Sequence, residues 1–143
     1  MSQAAELSAT EAAQRLLPLL KEYAAKVAAL SERGSVVLEQ LVPNSREVYH
    51  PSALEAGRLI CLHETLEKPV TDLAREASGL VEHAALEHYL RAELKLRLDE
   101  LEEHIRFSTV LVGELIGHIA PNTKRAEWLR KLIEKSGRYK APF

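Results

Sequence analysis

Apolar residues recur at every third or fourth position along most of this chain, and this spacing constrains the fold more than any other feature. A three- or four-residue step places side chains on one face of an α-helix, whereas strands alternate at every second position. Aromatic residues are only 5% of the sequence, so the core must be mainly aliphatic, as suits packed helices. We therefore predict an all-α fold, an antiparallel helical bundle of about four to five helices with one or two long helices.

Prolines and helix caps divide the chain into these helices. Ser8 with Glu11 fits a capping box, and Pro18 is expected to bend or delay the first helix. Pro43 ends that helix, and Ser52 caps the next one. The predicted helices cover about residues 9–42, 53–67, 70–119 and 124–136.

The pattern over 70–119 is long for a chain of 143 residues. A straight helix of this length would measure about 75 Å at 1.5 Å per residue. It must either protrude and pair with another chain or break, and the expected break points are Gly79 and the pair Ser108–Thr109. Gly34 falls on the apolar stripe of the first helix, where it would let another helix approach closely. The chain is predicted to form a single helical domain over 1–143, with flexible tails at 1–8 and 138–143.

Charge is distributed unevenly along the chain. Residues 121–143 carry seven basic and two acidic residues, a net charge of +5, whereas residues 1–120 have a net charge of −7. The helix predicted over 124–136 combines an apolar side with a basic patch formed by Lys124, Arg125, Arg130, Lys131 and Lys135. Three interpretations are open: this helix packs onto the bundle with its charges in water, binds an acidic protein partner, or lies on nucleic-acid phosphates.

The compartment is indicated by the single cysteine and the absence of targeting signals. Cys61 has no cysteine to pair with in its own chain, which fits a reducing compartment. The first residues lack the basic start and apolar run of a signal peptide, and the nearly apolar stretch over 110–120 is too short to cross a bilayer. We expect a cytoplasmic protein with no membrane partner, and an inert, buried thiol at Cys61.

Histidines lie four residues from carboxylates at several places, and such a step puts both side chains on one helix face. The candidate ligands for a metal such as Zn or Fe are Glu100, His104, Glu114 and His118. Ferritin-like sites need Glu-x-x-His on two helices, but the only such motif here begins at Glu47, in a predicted loop. The favoured interpretation is therefore that these pairs are ordinary solvated helix flanks, and no cofactor is predicted.

Two other patterns bear on chemistry. The residues after His63 do not have the spacing of Lys and a small residue found in histidine phosphotransfer domains, and adjacent Glu64 would repel phosphate. We therefore expect a hydrogen-bonded structural histidine. Arg97 and His104 have the Arg-x6-His spacing of some helical ribonucleases, but pairing between charges four residues apart explains Arg97. The sequence has no glycine-rich phosphate loop, Ser-His-Asp pattern or Cys-x-x-Cys, so no catalytic residue is predicted.

These features favour a non-enzymatic interaction protein, such as an adaptor, a chaperone-like bundle or an assembly subunit. The long leucine stripe exceeds what a compact bundle needs, so we expect it to contact a second copy or a protein partner through helices. The alternatives are a metal-binding bundle and nucleic-acid binding through the basic helix. The predicted interface residues are Leu90, Leu94, Leu98, Leu101, Ile105 and Trp128.

Overall fold

The computed structural model describes the backbone of residues 3–43 and 51–119, and the side chains from residue 8 onward within those ranges. Its regular elements are α1 (Gln3–Leu41), α2 (Pro51–Val81) and α3 (His88–Ile119), so the predicted all-helical class is confirmed. The predicted number of four to five helices is not matched by these three. The predicted boundary between residues 67 and 70 does not exist. The helix predicted over 124–136 lies outside the described residues.

The three helices pack against one another as an antiparallel bundle. Arg15 pairs with Glu76 and Arg33 pairs with Glu55, so the start of α1 lies beside the end of α2. Hydrogen bonding to Glu55 and its negative charge raise the pKa of Arg33. These ion pairs are exposed, so we assign them a role in orientation rather than a large share of stability.

The core between the helices is aliphatic. Its largest fully buried apolar side chains are Leu16, Leu20, Leu41, Leu94, Leu101 and Leu115, with Val27 and Val37. Removing one leucine side chain from water contributes about 1.5–3 kcal/mol, so this shared seam supplies most of the stabilisation. Charged residues occupy the other sides of the helices, and none of the helices within the described ranges is long and apolar enough to cross a membrane.

Gly34 sets the distance between α1 and α3. It is buried, and a Cβ at this position would lie 2.7 Å from Cδ2 and 3.3 Å from Cγ of Leu111. Glycine therefore lets the two helices meet here without displacing Leu111. The prediction that Gly34 permits close approach of another helix is confirmed.

α1 is longer than predicted. It begins at Gln3 rather than after Ser8, because the intervening Ala, Glu and Leu residues are good helix formers. It also continues through Pro18, so the late start expected at this proline is wrong. Leu16 and Leu20 on either side of this proline are fully buried, and their packing offsets the lost backbone hydrogen bond.

The predicted helix boundary between residues 67 and 70 is wrong. α2 runs through Pro69 and ends only at Val81. Leu66 and Val70, on either side of the proline, are both buried in the core. Packing of these neighbours holds the helix together across a residue that lacks a backbone donor.

The helix predicted over 70–119 is broken once, between Val81 and His88. α2 ends two residues beyond Gly79, one of the two expected positions, while α3 continues through Ser108, the other. Each helix is therefore about 46–48 Å long instead of one rod of about 75 Å. The break lets the second half of the stripe fold back against the first.

Arg91 stabilises the turn between α2 and α3. Its guanidinium donates hydrogen bonds to the carbonyl oxygens of Val81 at 2.9 Å, His83 at 2.8 Å and Leu86 at 3.1 Å. Carbonyl groups at a helix C-terminus have no partner within the helix and carry partial negative charge. A single arginine thus supplies the donors that end α2 and position the start of α3.

Replacing Gly34 by valine is expected to destabilise the bundle by about 1–3 kcal/mol, because the added atoms overpack the contact with Leu111. Chemical denaturation followed by circular dichroism would measure the loss. The matched control is Gly79→Val, because a Cβ at this exposed glycine of α2 meets nothing within 4 Å. Equal effects at the two positions would contradict the role assigned to Gly34.

Candidate functional site

The leucines predicted to contact a partner lie inside the bundle. Leu90, Leu94, Leu98 and Leu101 are all buried, and Leu94 and Leu101 have no exposed surface. α1 and α2 of the same chain cover this stripe, because the long pattern folds back on itself at the turn. These four residues are therefore core residues of a single copy.

Among the predicted interface residues that the structure describes, Ile105 is the one that reaches the surface. It is half-buried and lines a shallow, open groove of about 410 Å³ between α2 and α3. The other lining residues are Val70, Thr71, Ala74, Leu101, Glu102 and Arg106. The groove offers a contact surface and no enclosed chamber for a substrate.

The side of α3 that points away from the core carries exposed apolar residues. Phe107 is 57% exposed and Val110 is 60% exposed. Exposed Leu96 lies on the same side, about three turns before Phe107. Successive residues of an α-helix are rotated by about 100° around its axis. We define the outer face of α3 as those exposed residues of 103–117 that lie within about 60° of Val110 around this axis. These residues are Glu103, Arg106, Phe107, Val110, Gly113, Glu114 and Gly117.

Gly113 and Gly117 form a recess in the outer face of α3. A Cβ at either position would meet nothing within 4 Å, so the helix backbone is open to an approaching side chain. Residues four apart lie one above the other on a helix, and small residues at this spacing allow another helix to come close. The two glycines thus leave the backbone of this side of α3 uncovered.

Charged residues border the recess. Glu103 and Glu114 are acidic, Arg106 is basic, and all three are exposed. Within the described part of the chain, Arg106 and Glu114 form no ion pair. Both charges are therefore available to an opposite charge on another molecule.

Sequence reasoning missed the outer face of α3 because the leucine stripe dominates the pattern. A second stripe is nevertheless present at steps of three, three and four residues, formed by Phe107, Val110, Gly113 and Gly117. Glycine contributes little to a hydrophobic pattern, so only the structure indicates that these four positions share a surface.

The candidate metal ligands lie along α3 but do not converge. The pair Glu100 and His104 is ten residues from the pair Glu114 and His118, a separation of about 15 Å along the helix. One ion could therefore contact one pair and not both. Across the described residues, no three His, Cys, Asp or Glu side chains are grouped as a metal site would require.

Arg97 is held by carboxylates of its own helix. It donates a hydrogen bond to Glu93 at 3.3 Å and another to Glu100 at 3.2 Å. The prediction that ordinary pairing along the helix explains Arg97 is confirmed. Because Glu100 already accepts this bond, its carboxylate is less available to a cation.

His63 and Ser108 join α2 to α3. His63 Nδ1 and Ser108 Oγ are 3.0 Å apart, His63 is half-buried and Ser108 is fully buried. A hydroxyl can donate or accept, so the hydrogen bond exists with either histidine tautomer. The predicted hydrogen-bonded histidine is confirmed, and burial of Ser108 keeps its hydroxyl from any substrate.

Cys61 is half-buried rather than buried, which corrects the expected environment. Partial burial and the negative charge of Glu64 both disfavour the thiolate, and together they raise the pKa of Cys61. A thiol with a raised pKa is a poor nucleophile at neutral pH. The electrostatic surroundings therefore favour the unreactive thiol that the sequence predicts.

Three of the predicted sites lie outside the described residues, namely the interface residue Trp128, the basic patch and the Glu-x-x-His motif at Glu47. The tail predicted over 138–143 also lies outside them. Comparison of the chain with models of known protein families, with curated proteins and with solved structures gives no match. Function is therefore inferred from the geometry of the chain itself. In the part that the structure describes, the strongest candidate site is a contact surface, the outer face of α3.

Replacing His63 by alanine is expected to cost about 1–3 kcal/mol of unfolding free energy, because it leaves the Ser108 hydroxyl buried without this partner. Ser108→Ala should cost only about 0.5–1.5 kcal/mol, since half-buried His63 can turn to water. Urea denaturation of both single variants and the double variant would measure the coupling. Strictly additive losses would show that the two side chains do not interact.

Alkylation of Cys61 is expected to be slower than that of a free cysteine at pH 8, because the raised pKa lowers the thiolate fraction. The rate should reach half its maximum at a pH above the ordinary thiol value. Glu64→Gln should shift this midpoint to lower pH, since it removes a negative charge that disfavours the thiolate. A midpoint at or below the ordinary value would contradict the assigned environment.

Proposed function

We propose that this chain is a non-enzymatic interaction protein that associates with itself through helix–helix contacts. The supporting observation is the outer face of α3, where exposed Phe107 and Val110 adjoin the open recess at Gly113 and Gly117. Covering such apolar side chains with a complementary helix removes them from water, which stabilises the complex.

The chemistry of the described side chains supports binding over catalysis. The Ser108 hydroxyl is buried, and Cys61 has a raised pKa. Neither side chain has the exposure and activation that a catalytic nucleophile requires. On α3, Arg97 forms ion pairs with Glu93 and Glu100, and Glu103, Arg106 and Glu114 border the apolar surface.

The location of the proposed contact differs from the one expected from the leucine stripe. That stripe is covered by the chain's own α1 and α2, so a second copy has to bind elsewhere. The outer face of α3 is on the opposite side of the same helix. Packing there leaves the three-helix core unchanged, so association need not disturb folding.

We also propose a cytoplasmic location. It is supported by the single cysteine, which has no disulfide partner in its chain and is suited to a reducing compartment. Fractionation of cells that express the protein would test this assignment, and recovery in an oxidising compartment would count against it.

Substituting Val110 by glutamate is expected to abolish self-association, because it places a charge at the centre of the apolar surface. The mass of the wild-type protein, measured by sedimentation equilibrium, should rise with concentration from 16.0 kDa towards twice that value, whereas Val110→Glu should remain at 16.0 kDa.

The matched control is Val36→Glu, which makes the same change at an exposed valine on α1. This variant should associate like the wild type, and circular dichroism should show that all three proteins remain helical. A wild-type protein that is monomeric at every concentration, or a Val110→Glu variant that still associates fully, would overturn the proposed function.

A further inference from the structure

The first turns of α2 are buried on the side that faces away from the core. Gly57 lies nine residues before Leu66, which is two and a half helical turns, so the two point in opposite directions. Leu66 packs in the core and is 5% exposed, yet Gly57 is buried as well. Ala53, one turn before Gly57 on the same side, has no exposed surface. Since α1 and α3 pack on the other side of α2, a further part of the molecule covers Ala53 and Gly57.

This burial is confined to the first part of α2. Glu64, Arg75 and Gly79 lie on the same side of the helix as Gly57, and all three are exposed. Gly79 is the matched comparison, because a Cβ there would meet nothing within 4 Å. A glycine on this side of α2 is therefore open to solvent unless another segment lies over it.

The end of α3 lies beside the buried side of α2. His63 and Ser108 are hydrogen-bonded at 3.0 Å, and α2 and α3 are antiparallel. Residues equally far before His63 and after Ser108 therefore lie at the same level. Ala53 is level with His118, one residue before α3 ends at Ile119. The chain that follows α3 thus starts at the level of Ala53.

We propose that the segment after α3, with the helix predicted over 124–136, folds back along α2 and covers Ala53 and Gly57. A helix that starts level with Ala53 at residue 124 and runs parallel to α2 brings Trp128 level with Gly57, since both lie four residues further on. The small Ala53 and the missing side chain at Gly57 let a large ring lie close to α2. The apolar side of the predicted helix consists of Trp128, Leu129, Leu132 and Ile133.

Two other occupants fit the burial less well. The burial exists within a single chain, so a second copy is not the cover. Residues 44–50 already connect the end of α1 to the start of α2, whose axes lie about 8–10 Å apart. Gly57 lies about 9 Å beyond Pro51 on the far side of α2, so reaching it and returning would extend these residues almost fully.

Charge favours the same segment. Glu64 adjoins the buried side of α2, is exposed and forms no ion pair among the residues that the structure describes. Residues 121–143 carry a net charge of +5, which complements this carboxylate. Residues 44–50 contain one basic and one acidic residue, Arg46 and Glu47, and offer no net charge.

The contact assigns one of the three interpretations to the basic helix. Its apolar side meets α2, and its charges remain in water. Trp128 then belongs to a contact within the chain rather than to a partner interface. The contact uses α2 and not the outer face of α3, so it can hold or fail separately from the proposed self-association.

Trp128 is the only tryptophan, so its fluorescence reports the contact. In the wild-type protein, its emission should lie at the short wavelength of a shielded indole, and acrylamide should quench it slowly. Gly57→Glu should shift the emission to longer wavelength and speed quenching, because the added side chain displaces the segment. The control Gly79→Glu makes the same change where this side of α2 is exposed, and it should alter neither property.

A nitroxide label locates the segment without disturbing the contact. In a Cys61→Ser background, the introduced cysteine is the only site of labelling. A label at Glu64→Cys, about 10 Å along α2 from Gly57, should quench Trp128 fluorescence. A label at Arg75→Cys, on the same side but about 27 Å from Gly57, should not.

Three results would overturn the inference. Quenching of Trp128 by a label at Val110→Cys, but not at Glu64→Cys, would place the segment on the outer face of α3. Rapid acrylamide quenching in the wild-type protein would show that Trp128 is not covered. A Gly57→Glu variant that loses stability on urea denaturation with no change at Trp128 would show that residues 44–50 cover Gly57 instead.

Discussion

Exclusion of the leucine seam from water is the interaction on which the rest of the structure depends. Leu16 of α1 and Leu94 and Leu101 of α3 have no exposed surface, and each such burial contributes about 1.5–3 kcal/mol. One chain supplies every side of this seam, because the turn after α2 brings α3 back along it. The seam is already covered, and the exposed apolar residues Phe107 and Val110 of α3 lie outside it.

Glycine has two different consequences in this bundle, and the neighbours of each residue decide which one applies. At Gly34, Leu111 of the same chain occupies the space that a side chain would need, so glycine lets α1 and α3 come together. At Gly113 and Gly117, the corresponding space is open. The first glycine serves the fold, and the other two leave the backbone of α3 open on the side that carries Val110.

Polar contacts position helices that apolar packing alone would leave free to slide. The His63–Ser108 hydrogen bond links α2 to α3 in the middle of the bundle, and Arg91 binds three carbonyl groups at the turn. Hydrogen bonds have narrow geometric requirements, whereas leucine contacts tolerate small shifts. The outer face of α3 has a defined orientation because the side facing the core is held in this way.

The sequence by itself determined the helical class, the close contact at Gly34, the pairing of Arg97 and the structural role of His63, because these follow from spacing along a helix. The tertiary structure alone decided that α2 continues through Pro69, since that depends on packing by distant residues. It also decided that the leucines of α3 face inward while Phe107 faces out. Periodicity identifies a face of a helix, but only the neighbouring helices determine which face they cover.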